Sequence, residues 1–279
     1  MLFLACKKKD ETYYPDGSLK TSVDINNSRF HGLFTGYYEN GELQVEAIYN
    51  EGLIQGWSTY YHKPEHAFLK SEVLYRNDTA IYRKNFDKMG KLVEEGFLHE
   101  NNKTGKWIYY DIEENYVQKI REAFYIDEKY HLNQNWELNR KGDTIGGTFF
   151  RIKTKNPMDL HHQLISFEIN HLPYFEESVF FIFIPNPKNK QFAAHFLNEK
   201  EISQDTIASF VKADNGIKYY NGKKNVVDVF LDYDTPGKKI VRGIILEKKT
   251  MENQDSLDFK TVTRKIYFEK EIFIEDKQK

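Results

Sequence analysis

The chain has 279 residues, 40% hydrophobic and 29% charged, which places it among globular proteins rather than disordered tails. Its formal net charge of −2 argues against a strong general attraction to nucleic acid or acidic lipid. Its single cysteine, Cys6, excludes an intrachain disulfide and a four-cysteine zinc site, and no apolar run reaches the roughly 18 residues that span a bilayer.

The first segment reads "MLFLACKKKDE", with apolar residues running straight into Cys6 and lysines and acids following. "LFLAC" resembles the end of a bacterial lipoprotein signal, in which a small residue precedes the cysteine that is lipidated. Leu4, Ala5 and Cys6 fill its last positions. Only five residues precede Cys6. A basic n-region and an apolar core of about 7–15 residues need more, so this reading places the true start upstream. The "KKKDE" that follows is similar to the lysine-then-acid pattern that sends some bacterial lipoproteins to the outer surface. Residues 1–11 are therefore expected to be a truncated signal and tether. A lipid on Cys6 would anchor the protein to the bacterial cell envelope, at the outer membrane, without spanning it. The bland alternative is a frayed terminus with a free thiol, which goes with a cytoplasmic protein.

From residue 12 the sequence repeats. "YYPDG" at 13–17 and "YYENG" at 37–41 lie 24 residues apart, as do "HG" at 31–32 and "QG" at 55–56. "TYY" recurs at 59–61, "NFDKMGKL" at 85–92 restores a turn, and "NNKTGKW" at 101–107 echoes "EGLIQGW" at 51–57. "IYY" at 108–110 opens a further copy, and "NQNW" with "LNRKGD" at 133–143 a last, worn one. A period of about 23–26 residues belongs to repeat architectures. Asp16-Gly17 and Asn40-Gly41 predict hairpin turns, because Asn and Gly accept positive φ. Between turns the residues alternate: Leu43, Val45, Ala47 and Tyr49 share one parity, Glu42, Gln44 and Glu46 the other. That is a strand with one packing face. Gly32, Gly56 and Gly105 predict bulges or close backbone approach. A lone hairpin is marginal in water, whereas a stack of five or six buries a continuous row of aromatics.

"YYENGELQVEAIYNEGLIQGWSTYY" closely resembles a MORN-type repeat, of the variant found in bacterial proteins described as antitoxin components. The resemblance covers roughly residues 12–145. The third copy departs from it at Pro64, Ala67 and "NDTA", and the fifth, "YYDIEENYVQK", lacks the glycine. The resemblance implies a stack of β-hairpins that binds, scaffolds or tethers rather than catalyses.

Beyond Gly146 the repeat signal stops. Strands are predicted at 147–154, 163–169, 177–184, 191–197, 225–233, 238–248 and 263–275, with Pro236-Gly237 making a turn. In the last, Ile266, Phe268, Ile272 and Ile274 share one parity. About seven strands predict a β-sandwich of immunoglobulin or fibronectin type over 146–279, without a disulfide. One helix is predicted at "SQDTIASFVKAD", 203–214, capped by Ser203, with Ile207, Phe210 and Val211 on one face. The expected fold is thus all-β: hairpin repeats over 12–145, then a β-sandwich.

Chemistry is thin. His161, His162, Glu168 and His171 lack any metal-ligand spacing, so strand-edge histidines are the expectation and no metal is assigned. "GDTIGG" at 142–147 lacks the following Lys-Ser/Thr of a phosphate loop and reads as a turn. No nucleophile motif is assembled, so no catalytic residue and no cofactor are predicted. The paired tyrosines, Tyr37/Tyr38, Tyr60/Tyr61 and Tyr109/Tyr110, stand out as a binding candidate. Neighbours on a strand point to opposite faces, so one of each pair should pack and the other could meet a protein or glycan ligand. Plain packing of both rings is the competing reading. The expected function is a non-enzymatic binding or scaffolding protein of the envelope, with no nucleic-acid partner. Two alternatives stand beside it: an intracellular antitoxin-like or immunity protein, and an enzyme built on the sandwich.

Overall fold

The computed structural model describes residues 8–63, 68–126, 129–155, 162–171, 178–202, 206–212, 226–252 and 259–275. All its strand pairs with a described register are antiparallel, and among the described residues there is no α-helix. The chain divides into two compact units, Met1–Ala123 with Leu138–Asp143, and Phe124–Glu137 with Thr144–Lys279.

The first unit is built from β1 (Lys8–Tyr13), β2 (Leu19–Asn26), β3 (Arg29–Tyr37), β4 (Leu43–Asn50), the two-residue β5 (Leu53–Ile54), β6 (Gly56–Tyr61), β7 (Leu69–Arg76), β8 (Thr79–Phe86), β9 (Leu92–His99), β10 (Asn102–Asp111) and β11 (Tyr116–Ile126). Each strand pairs with its sequence neighbours, save that β4 pairs both β5 and β6. Such local pairing follows from turns every eight to twelve residues.

Two kinds of turn alternate. At Asn27-Ser28, Glu51-Gly52, Asn77-Asp78 and Glu100-Asn101 both central residues have positive φ. This is the primed turn whose twist matches the flanking strands. "NDTA" therefore makes the same turn without glycine, since Asn and Asp tolerate the left-handed region. The "DG" and "NG" turns differ from the tightest hairpin. Gly17 and Gly41 lie at φ +86°, and their N–H groups bond back three residues, to the carbonyls of Tyr14 at 2.9 Å and Tyr38 at 2.8 Å. The glycine follows a type I turn as a bulge, and the strand register shifts beside it.

Six residues that follow the ends of alternate strands or close them, Tyr14, Tyr38, His62, Asp87, Asp111 and Asn139, act in one of two ways. Tyr14 donates its hydroxyl to the carbonyl of Tyr37 at 2.7 Å, and Tyr38 donates to that of Tyr61 at 2.9 Å. His62 sets its Nε2 3.3 Å from the carbonyl of Phe86. Each reaches one repeat ahead. Asp87, Asp111 and Asn139 instead turn inward. Asp87 Oδ1 accepts from the backbone N–H of Met89 and Lys91, both at 2.8 Å. Asp111 does the same for Glu113 and Glu114, and Asn139 for Lys141 and Asp143. A short carboxylate or amide satisfies its own turn, whereas a long ring reaches the neighbour.

One face of this unit is packed. Val73, Ala80, Leu98 and Trp107 form its buried cluster, with Tyr60, Tyr75 and Tyr109 against it. Trp107 is 2% exposed and lies over Gly96, where an added Cβ would come within 2.6 Å of the indole. Its Nε1–H donates to the carbonyl of Phe97 at 2.8 Å.

The second unit takes the ends of β11 and most of β12 (Lys129–Leu138), then β13 (Thr144–Lys155), β14 (His162–His171), β15 (Val179–Pro185), β16 (Thr206–Lys212), β17 (Val226–Asp232), β18 (Gly237–Glu252) and β19 (Phe259–Ile274). Within it β12, β13, β14 and β17 are neighbours in that order, and β16, β15, β18 and β19 form a separate sheet. One core joins the two: Phe150, Ile165, Phe167, Val227, Val229 and Leu231 meet Phe180, Ile182, Val241, Ile245, Ile266 and Phe268. Alternation on β19 buries Ile266, Phe268, Ile272 and Ile274.

Two predictions fail here. Within the expected 203–214 helix, the described residues Thr206–Lys212 form β16 instead, in register with β15 from Phe180↔Val211 to Ile184↔Ile207. Thr206, Ile207, Phe210 and Val211 suit a strand as well as a helix face, and the free edge of β15 decides between them. Ser203 lies outside the described residues. The strand predicted at 191–197 is instead an irregular segment with a single 3-10 turn, Ala194–Phe196. Its Phe192 and Phe196 pack on Tyr267 and Ile244, which explains why Tyr267, on the polar parity of β19, is buried.

Candidate functional site

The face of the first unit opposite Trp107 carries two parallel rows of side chains. Strand register fixes the first. Leu33 pairs with Ile48, Trp57 with Leu74, Leu74 with Tyr82, and Tyr82 with Phe97. Ile48 and Trp57 lie two residues along their strands from the paired Glu46 and Thr59, hence on the same face. Six apolar residues thus cross β3, β4, β6, β7, β8 and β9 in line. Leu33 is 51% exposed, Ile48 46%, Trp57 43% and Phe97 57%; Leu74 and Tyr82 are half-buried. The rings meet edge to face, Trp57 with Tyr82 at 6.2 Å and Tyr82 with Phe97 at 5.0 Å.

The second row lies two residues along each strand: Thr35, Glu46, Thr59, Glu72, Lys84 and Glu95. Its carboxylates are held in place. Glu46 accepts the Tyr61 hydroxyl at 3.0 Å, and Glu95 accepts those of Tyr82 at 3.0 Å and Tyr110 at 2.5 Å. Lys84 pairs with Glu72 at 3.3 Å and lies over the Trp57 ring, 5.0 Å from its centroid. Three carboxylates against one ammonium leave the row acidic.

All six paired tyrosines are half-buried. Tyr60 and Tyr109 pack with the buried cluster, and Tyr61 and Tyr110 reach the acidic row, so these pairs divide between the two faces as strand geometry requires. Tyr60 meets the Tyr75 hydroxyl at 3.1 Å, Tyr37 offers its carbonyl to Tyr14, and Tyr38 spends its hydroxyl on Tyr61. Burial, and then the carboxylate that accepts the hydroxyl, raise the Tyr61 and Tyr110 phenols above their ordinary value. Burial, then the Tyr75 hydrogen bond, does so for Tyr60. The tyrosines build the platform, and the apolar row is what it presents.

Sequence reading passed over Leu33, Ile48, Trp57 and Phe97. The available signal was Ile48, an apolar residue on the parity of Glu42, Gln44 and Glu46.

In the second unit a cleft of about 670 Å³ is lined by Ile126, Tyr130, Leu132 and Tyr267 among apolar groups, and by Lys129, His131, Glu199 and Arg264 among polar ones. Glu199 already accepts the Tyr267 hydroxyl at 2.8 Å and holds Lys265. Cys6 and His161 lie outside the described residues. His162 and His171 bracket β14, and Glu168 pairs with Lys153 at 2.5 Å. Among the described residues no three His, Cys, Asp or Glu gather as metal ligands.

No family model matches the chain, and no curated protein matches it.

Proposed function

We propose that this chain is a non-enzymatic binding or scaffolding protein of the bacterial cell envelope. A lipid on Cys6 would anchor it, its MORN-type repeat sheet would engage a partner, and an immunoglobulin-like β-sandwich would follow. The observation that carries the reading is the row Leu33–Ile48–Trp57–Leu74–Tyr82–Phe97, whose two ends and centre are open to solvent. Contiguous exposed apolar side chains rimmed by charge mark interaction sites. The periodic turns support the repeat assignment, and the core shared by two sheets supports the sandwich. One residue, Lys7, separates Cys6 from β1, so the lipid would hold the edge of the sheet at the membrane surface, with Lys8 and Lys9 beside the headgroups.

The test is affinity purification of the full chain from its native host, beside the Trp57→Glu/Phe97→Glu variant. Both should fold, since the two rings are exposed. The wild type should retain a stoichiometric partner that the variant loses. Retention of the same partner by both would move the interaction off this face, and an unmodified Cys6 in the intact mass would remove the anchor.

A further inference from the structure

We infer that the repeat sheet takes a basic amphipathic helix, laid across its strands with the apolar stripe on the Leu33-to-Phe97 row and lysines or arginines against the acidic row. This deepens the function proposed above and rests on it.

Three features of the face select such an occupant. The first is length. The apolar row crosses six strands, and five steps of about 4.8 Å make roughly 24 Å. A helix of about 16 residues, rising 1.5 Å each, has that length. The second is width. The apolar row is one side chain wide, and the acidic row begins two residues along each strand. A helix with an apolar stripe and charged flanks has the same profile. The third is charge. Glu46, Glu72 and Glu95 outnumber Lys84. Glu46 and Glu95 are oriented by tyrosine hydroxyls, which fix carboxylates without neutralising them. Lys84 over Trp57, paired to Glu72, is the chain's own example of a cation bound between an indole face and a carboxylate of these rows. A partner's lysine or arginine would repeat that arrangement at Glu46 and Glu95, where the chain's own phenols supply only neutral donors.

The probe is a helical peptide of about 18 residues, leucine along one stripe and lysine on its flanks. It is titrated into the full chain and read by the fluorescence of an attached dye. Two controls carry the decision: the same peptide with glutamate flanks, and the lysine peptide with its leucines scattered around the helix. The lysine-flanked peptide should bind about tenfold more tightly than either control. Raised salt should weaken it, as should Glu46→Gln/Glu72→Gln. Trp57→Glu should weaken it about tenfold, and Phe97→Ser, a milder change, should act in the same direction. Equal binding of the glutamate-flanked or scattered peptide would overturn the proposal, as would indifference to Trp57→Glu and Phe97→Ser together. Self-association abolished by Trp57→Glu, with no peptide binding, would give the face to a second copy and also overturn it. If the native-host purification yields a partner lost with Trp57→Glu/Phe97→Glu while the peptide arm fails, the helix is wrong and the binding function stands. If no partner is lost, the function itself fails.

Discussion

The hydroxyl of Tyr38 donates to the carbonyl of Tyr61, 2.9 Å away and one repeat further along the chain. Tyr14 makes the same bond to Tyr37 at 2.7 Å. The rungs tie successive repeats together beyond their strand pairing. Tyr38→Phe removes one rung and leaves the ring, so it should cost about 1 kcal/mol, read as a lower urea midpoint with an unchanged slope. Asp87→Ala should cost a comparable amount, about 1 kcal/mol, by a different route: it strips the acceptor from the N–H groups of Met89 and Lys91.

Trp107 lies directly over Gly96. A Cβ on Gly96 would come within 2.6 Å of the indole, whose own N–H is held by the carbonyl of Phe97. Gly96→Ala must displace a ring that is 2% exposed. The expected loss is about 1–3 kcal/mol, seen in thermal unfolding and as a red-shifted indole emission.

Alkaline pH should loosen the same unit. The Tyr82 hydroxyl is pushed up to about 12, first by burial and then by Glu95. Its folded value lies above the ordinary value of 10.0, so the protonated phenol favours the fold. That contribution is complete below about pH 10 and is lost as pH rises through about 12. Stability followed by circular dichroism should fall over this window. Tyr82→Phe should show a shallower fall; an identical pH profile in the variant would count against the assignment.

A buried charge underlies the second unit. The Glu247 side chain is fully buried; it accepts the Ser178 hydroxyl at 2.7 Å and faces Arg264 Nη1 at 3.5 Å. Arg264 Nη2 also donates to the carbonyl of Asn133 at 2.7 Å. Arg264→Ala takes the guanidinium away from this buried carboxylate, to which Ser178 still donates, and should cost about 3 kcal/mol. Adding Glu247→Gln should recover part of that loss, which a double-mutant cycle by denaturant unfolding measures.

Much of the β architecture was legible because its signals are local. Asn40-Gly41 and Glu51-Gly52 announce turns, and the residues between them alternate with a period of two. The roles of Asp87, Asp111 and Asn139 were carried by residue type, a short carboxylate or amide at the head of a turn, but in the sequence that signal lies beneath the stronger glycine pattern. β16 was missed because Ile207, Phe210 and Val211 fit a helical stripe, and only pairing with β15 removes the ambiguity. The candidate site was half legible. The tyrosine pairs lie in the same sheet as the row, but register across six strands assembles the row from Leu33, Ile48, Trp57, Leu74, Tyr82 and Phe97. Those residues are up to 64 positions apart in the chain and share no motif.

The central claim is that the apolar row is where this protein meets its partner. Site-specific photocrosslinking in the native host tests it directly, with a photoreactive phenylalanine placed at Trp57 and, as a control, at Leu197, which is 68% exposed in the second unit. Position 57 should give one defined protein adduct and position 197 none. No adduct at 57, or the same adduct from both positions, would contradict it.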